Sequence, residues 1–173
     1  MTRFIALLRA VNVGGRTLEM AALRAVAEKA GCKDVRSYIA SGNLVFTATG
    51  EAPAWETRLE KAIAAKFGHD VPVVVRSAEQ WKAYLDSPFS KAEPNRVTLG
   101  LAKAKPKPGA EVAIQARAAD GEAVKVQGDA VWIHYPNGQG RSKITPASVD
   151  KAVGSPTTQR NLNTVRRLAE LAA

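Results

Sequence analysis

An α+β fold of two ferredoxin-like halves is predicted, and three observations carry it. Short apolar or alternating runs mark strands, apolar stripes at helical spacing mark helices, and over residues 3–77 the two follow one another as β-α-β-β-α-β. The second half, 78–173, repeats the rhythm as βαββα with a C-terminal helix. Antiparallel sheets with helices packed on one face follow from that order.

In the first half, residues 3–11 are apolar almost throughout up to Arg9, as in a strand buried on both faces. Asn12 to Arg16 is a loop, Thr17 an N-cap and Glu19 an acid in the first helical turn. Met20, Leu23, Ala27 and Ala30 share a helical face that Gly31 closes. Val35, Ser37 and Ile39 alternate with Arg36, Tyr38 and Ala40, and Leu44 to Thr47 returns after the Ser41-Gly42-Asn43 turn. Pro53 starts a helix with the stripe Trp55, Leu59, Ile63 and Phe67, and Gly68 ends it. Val71 to Val75 is a strand that Pro72 assigns to a sheet edge.

In the second half, Ser77 and Gln80 form a capping box for a helix carrying Trp81, Tyr84 and Leu85. Arg96–Leu101 is a strand, Lys103–Lys107 a solvated basic turn and Glu111–Arg117 a short helix. Glu122–Val126 and Ala130–Tyr135 form a hairpin around Gly128-Asp129. Pro146 starts a short helix, and residues 160–172 form the last one.

The formal net charge is +9, and its sharpest concentration lies in residues 138–167, where Arg141, Lys143, Lys151, Arg160, Arg166 and Arg167 face only Asp150. Such a surface attracts phosphates and polyanions, or simply stays solvated. Aromatic residues make up 6%, few for an RNA-stacking platform, and only Phe4 and Phe46 fall on the first and third strands. The single Cys32 excludes an internal disulfide and a Cys-rich zinc site. With no membrane-length apolar run and no signal-peptide core, a cytoplasmic location is expected and no membrane partner.

Phosphate-loop, dinucleotide, nucleophile-elbow and zinc-helix motifs are missing, so no cofactor and no metal is implied. Of the two histidines, His69 sits exposed in a turn and His134 on a strand, where a structural hydrogen bond is expected ahead of general-base work.

Three glycine-bearing polar segments remain. Arg9, Asn12, Gly14 and Gly15 precede a helix, where backbone N–H groups can face an anion or merely shape a turn. Ser41, Gly42 and Asn43 form a hairpin turn that the ferredoxin-like strand order sets beside the end of the first strand. Gly138, Gly140, Arg141, Ser142 and Lys143 combine close backbone approach, cations and a hydroxyl. Arg160 and Asn161 follow downstream.

The blocks ALLRAVNVGG (6–15), YIASGNLVF (38–46), YPNGQGRSK (135–143) and TTQRNLNTV (157–165), in this order, resemble domain-of-unknown-function family 1697. The resemblance implies the duplicated ferredoxin-like fold and no activity. Family-like positions include those named above together with Thr158 and Thr164. Ala10 and Leu162 depart from the glycine and tryptophan the family typically carries there.

The expected function is binding of an anionic, phosphate-bearing small molecule resembling a nucleotide. The site is expected to draw on Arg9, Asn12, Gly14, Gly15, Ser41, Gly42, Asn43, Gly140, Arg141, Ser142, Lys143, Arg160 and Asn161. The cations would neutralise charge, and Asn12, Asn43 and Asn161 would orient the ligand. The alternatives are an RNA-binding or other nucleic-acid-binding module and a protein-interaction module. No catalytic residue is assigned, and the oligomeric state is left open.

Overall fold

The computed structural model describes residues 1–9, 17–119 and 121–173. The chain divides into two compact units, Met1–Ala83 with Leu168–Ala173, and Tyr84–Arg167. Each holds one four-stranded antiparallel sheet.

In the first unit the order is β1 (Thr2–Leu8), α1 (Met20–Lys29), β2 (Lys33–Ser37), β3 (Asn43–Ala48), α2 (Ala52–Phe67), β4 (Val73–Ser77) and α3 (Ala78–Trp81). The strands lie β2-β3-β1-β4, the split βαβ arrangement, with β4 at the edge Pro72 predicted. Alternation decides what each face buries: Phe4, Ala6 and Leu8 of β1 join Leu44 and Phe46 of β3 beneath Leu23 of α1 and Leu59 and Ile63 of α2. Phe4 and Phe46 sit directly opposite in the register, their rings 5.5 Å apart, and Trp55 meets Phe46 edge-on at 5.6 Å. Each fully buried ring or leucine here is worth roughly 1.5–3 kcal/mol over its exposed state.

Two local expectations fail. Glu19, not Thr17, precedes the first residue of α1, and it makes no side-chain cap bond. The second strand stops at Ser37, because Ile39 has φ +50, a left-handed conformation incompatible with continued alternation. The predicted capping box of Ser77 and Gln80 forms in both directions, at 2.9 and 3.1 Å.

The second unit runs β5 (Val97–Leu101), α4 (Ala110–Gln115), β6 (Ala123–Gln127), β7 (Ala130–His134), α5 (Pro146–Val153), β8 (Thr158–Asn161) and α6 (Leu162–Ala172), the last of which continues beyond it. Its strands lie β6-β7-β5-β8, the same arrangement. Its core joins Val131 and Ile133 of β7 to Ile114 of α4 and Val149 and Val153 of α5. The expected βαββα is therefore one strand short. Residues 158–161, expected at the entrance of the last helix, pair with β5 instead. Among the described residues no helix is long and apolar enough to cross a membrane.

Candidate functional site

Strand pairing brings the first two polar segments together as expected, as far as they are described. Leu7 sits opposite Asn43, and the Leu8 N–H donates to the Gly42 carbonyl at 2.8 Å. Arg9 is held from the other side, its N–H donating to Pro72 O at 3.0 Å. Gly42 has φ +87, which favours glycine. Asn43 is fully buried, and its Nδ2 donates to Tyr38 O at 2.8 Å and to Ser41 Oγ at 2.9 Å. The Asn43 side chain therefore clasps the turn, a structural duty the sequence reading did not assign to it. Asn12, Gly14 and Gly15 lie outside the described residues.

The third segment is in the second unit. After the buried Tyr135, the chain passes Gly138 and makes one 3-10 turn over Gln139–Arg141. Gly138 has φ +89, a conformation that calls for glycine, and a Cβ there would stand 2.6 Å from Arg96 Nη1 and so displace that guanidinium. Four hydrogen bonds fix the loop. Gly138 N donates to Tyr135 O (2.9 Å), Ser142 N to Gln139 O (3.1 Å), Ile144 N to Ser142 Oγ (3.0 Å) and Arg117 Nε to Lys143 O (3.0 Å). Gly140 has open space around its α-carbon. Arg141 and Lys143 are exposed. Ser142 uses its hydroxyl on the loop itself.

Gln159 ties this loop to β8. Its Oε1 accepts from Thr98 Oγ1 at 3.0 Å, Tyr135 Oη at 3.2 Å and Gln139 Nε2 at 3.4 Å. Sequence reasoning passed over this residue, since its partners Thr98 and Tyr135 are 61 and 24 positions away. Burial, offset in part by the Thr98 hydroxyl and reinforced by the Glu122 charge, pushes the Tyr135 phenol up to about 12. Tyr135 thus stays a neutral donor at neutral pH.

Arg160 stands opposite Leu99 in the sheet, half-buried, with Nη1 donating to Gln159 O at 2.9 Å. Burial lowers its guanidinium to about 10, so it is still a cation at pH 7. Asn161 Oδ1 accepts the Thr164 N–H at 2.9 Å and caps α6. Both residues lie on strand β8 rather than in the first turn of a helix.

The remaining reactive groups have structural settings. The His134 ring stands 5.8 Å from that of Phe89, and His69 Nδ1 is 3.2 Å from Phe67 O. Burial, opposed weakly by Arg58, pushes the Cys32 thiol up to about 12, which leaves it protonated and unreactive. Among the described residues no group of three or more His, Cys, Asp and Glu could hold a metal ion. Phe4 and Phe46 are 2% and 0% exposed, so neither presents a face on which a base could stack.

The family described as Protein of unknown function (DUF1697) matches residues 1–132. The structure is similar to that of the conserved bacterial protein SP0830 from Streptococcus pneumoniae, with a TM-score of 0.73 and 21% identity over 99% of both chains, a likeness of fold. A second structure, of a candidate chlorite dismutase, TA0507, has a TM-score of 0.28 and 11% identity over 100% of both chains, too remote to inform this chain. No curated protein matches the sequence.

Proposed function

The chain belongs to the DUF1697 family of proteins of unknown function, and we propose that it binds a phosphate-bearing small ligand of nucleotide-like size. The observation that carries the reading is the loop Gly138–Lys143. It is fixed by four hydrogen bonds while Arg141 and Lys143 project into solvent, with no ion-pair partner for either among the described residues. A rigid backbone bearing free cations suits a phosphate, because little conformational entropy is lost when the anion arrives. Gly140 leaves room for close backbone approach. In the first unit, Arg9 and the Ser41-Gly42-Asn43 turn form a second polar cluster, and its proposed role is also anion binding. The role of Asn43 and Asn161 is to hold the frame rather than to touch ligand. The common strand order of the two sheets supports reading the halves as copies of one ferredoxin-like unit.

A thermal-shift comparison of inorganic phosphate, AMP, ribose 5-phosphate and a short RNA, at low and moderate salt, tests this. A ligand at a hundred times its Kd stabilises the folded state by about 2.7 kcal/mol, which raises Tm by several degrees. The expected result is such a rise with a small phosphate compound, shallow in salt and lost in Arg141→Ala. A rise with RNA alone, vanishing steeply with salt, contradicts the proposal and favours nucleic acid. No rise with any of them also contradicts it.

A further inference from the structure

Beside the loop lies a recess that the sequence reading did not single out. It occupies about 660 Å3 between α4 and α5, within the range of small-molecule sites. Lys107, Arg117 and Lys151 line it, and among the described residues no carboxylate does. None of the three has an ion-pair partner among the described residues. Two of these cations are positioned rather than loose. The Lys107 backbone N–H donates to Val153 O at 3.0 Å, and its side-chain stem lies beside Gly154, where a Cβ would stand 3.4 Å from Cδ. Arg117 is held through Nε on Lys143 O, which leaves its terminal nitrogens to face other groups.

Small apolar side chains, the exposed Ala113 and Ala147 and the buried Ala152, line the recess as well. The hydroxyls of Thr145 and Ser148, which also line it, take part in the capping box of α5: the Ser148 O–H donates to Thr145 O at 2.8 Å, and the Thr145 hydroxyl accepts from Ser148 N at 3.2 Å. The charge available to a ligand in the recess comes from the three cations. The Arg117–Lys143 bond sets the recess next to the loop that carries Arg141 and Lys143. With no acid among the described residues that line it, the recess is a second concentration of positive charge, next to that of Arg141 and Lys143.

We infer that the ligand carries a second anionic group, seated in the α4–α5 recess against Lys107, Arg117 and Lys151, so that the ligand class is a bisphosphate or diphosphate ester rather than a monophosphate. This rests on the loop's binding the first phosphate. The terminal nitrogens of Arg117 would meet the second group as a fork, with the two lysines as point charges on either side.

The test compares two matched pairs by isothermal titration: AMP with ADP, and fructose 6-phosphate with fructose 1,6-bisphosphate. The expected result is that in at least one pair the second phosphate tightens binding by about tenfold or more, and that the gain disappears in the Lys107→Ala/Lys151→Ala variant while the monophosphate binds as before. Both lysines are exposed, so the variant keeps its fold, which its unchanged Tm verifies. Equal binding within both pairs overturns the inference, as does a gain that survives the double substitution, and both leave the loop reading intact. Absence of binding by all four compounds overturns both readings together.

Discussion

The Tyr135 hydroxyl donates to Gln159 Oε1 at 3.2 Å, and Thr98 donates to the same oxygen at 3.0 Å. One amide oxygen on the edge strand β8 thus satisfies two hydroxyls of residues that are themselves buried. Replacing Gln159 by leucine strands both hydroxyls. A buried polar group without a partner costs about 1–3 kcal/mol, so Gln159→Leu is expected to lose roughly 2–4 kcal/mol in urea denaturation. Gln159→Glu keeps an acceptor and is expected to lose less. Equal stability of Gln159→Leu and wild type would show that the hub is not closed in solution.

The Tyr135 phenol provides a pH signature. Its folded value of about 12 lies above the ordinary 10.0, so the neutral form is favoured by folding. The resulting stability is fully present below pH 10 and is lost as pH rises toward 12. Cys32 acts with the same sign between its ordinary 9.0 and about 12. Denaturation midpoints measured from pH 8 to 11.5 should therefore fall, and the fall should be smaller in Tyr135→Phe. An unchanged slope in that variant removes the assignment.

The buried pair at the other sheet makes a separate prediction. The Glu56 carboxylate of α2 accepts the Val75 N–H at 3.0 Å on edge strand β4, and lies 3.7 Å from the Arg76 guanidinium. Glu56→Ala leaves a buried strand N–H and a buried cation with less compensation, a change expected to cost about 3–5 kcal/mol. A loss below about 1 kcal/mol in chemical denaturation speaks against this edge-sealing role.

Gly138 tests the loop. Alanine there must adopt φ +89 and displace the Arg96 guanidinium. At φ +89 and ψ 146 this is a region essentially only glycine enters, which costs alanine about 1–3 kcal/mol, and the end of a flexible arginine can move, so Gly138→Ala is expected to fold with a Tm lowered by several degrees. Its phosphate affinity should weaken along with the loop's order. Full retention of both contradicts the account of the loop as a fixed frame.

Most of the first unit was legible in the sequence because β1 and α2 carry unmixed apolar periods, from Ile5 to Ile63. β8 was not: Thr158-Gln159-Arg160-Asn161 has no apolar alternation, and its strand character comes from pairing with β5. Ile39 misled for a related reason. A β-branched residue reads as strand, yet the turn clasped by Asn43 places it at φ +50. For the site, residue type singled out the charges of Arg141 and Lys143, which are exposed, but it could not tell that the amides of Asn43 and Asn161 are spent on a turn and a helix cap. Nor could it find the recess of Lys107, Arg117 and Lys151, whose members are brought together only by the packing of α4 against α5.

Phosphate binding by the Gly138–Lys143 loop is tested by 1H–15N correlation spectra of the protein titrated with AMP and with inorganic phosphate. Saturable shifts of the Gly138–Lys143 amides, lost in Arg141→Ala, are the expected result. Saturable shifts confined to residues away from that loop, or none with either compound, would contradict it.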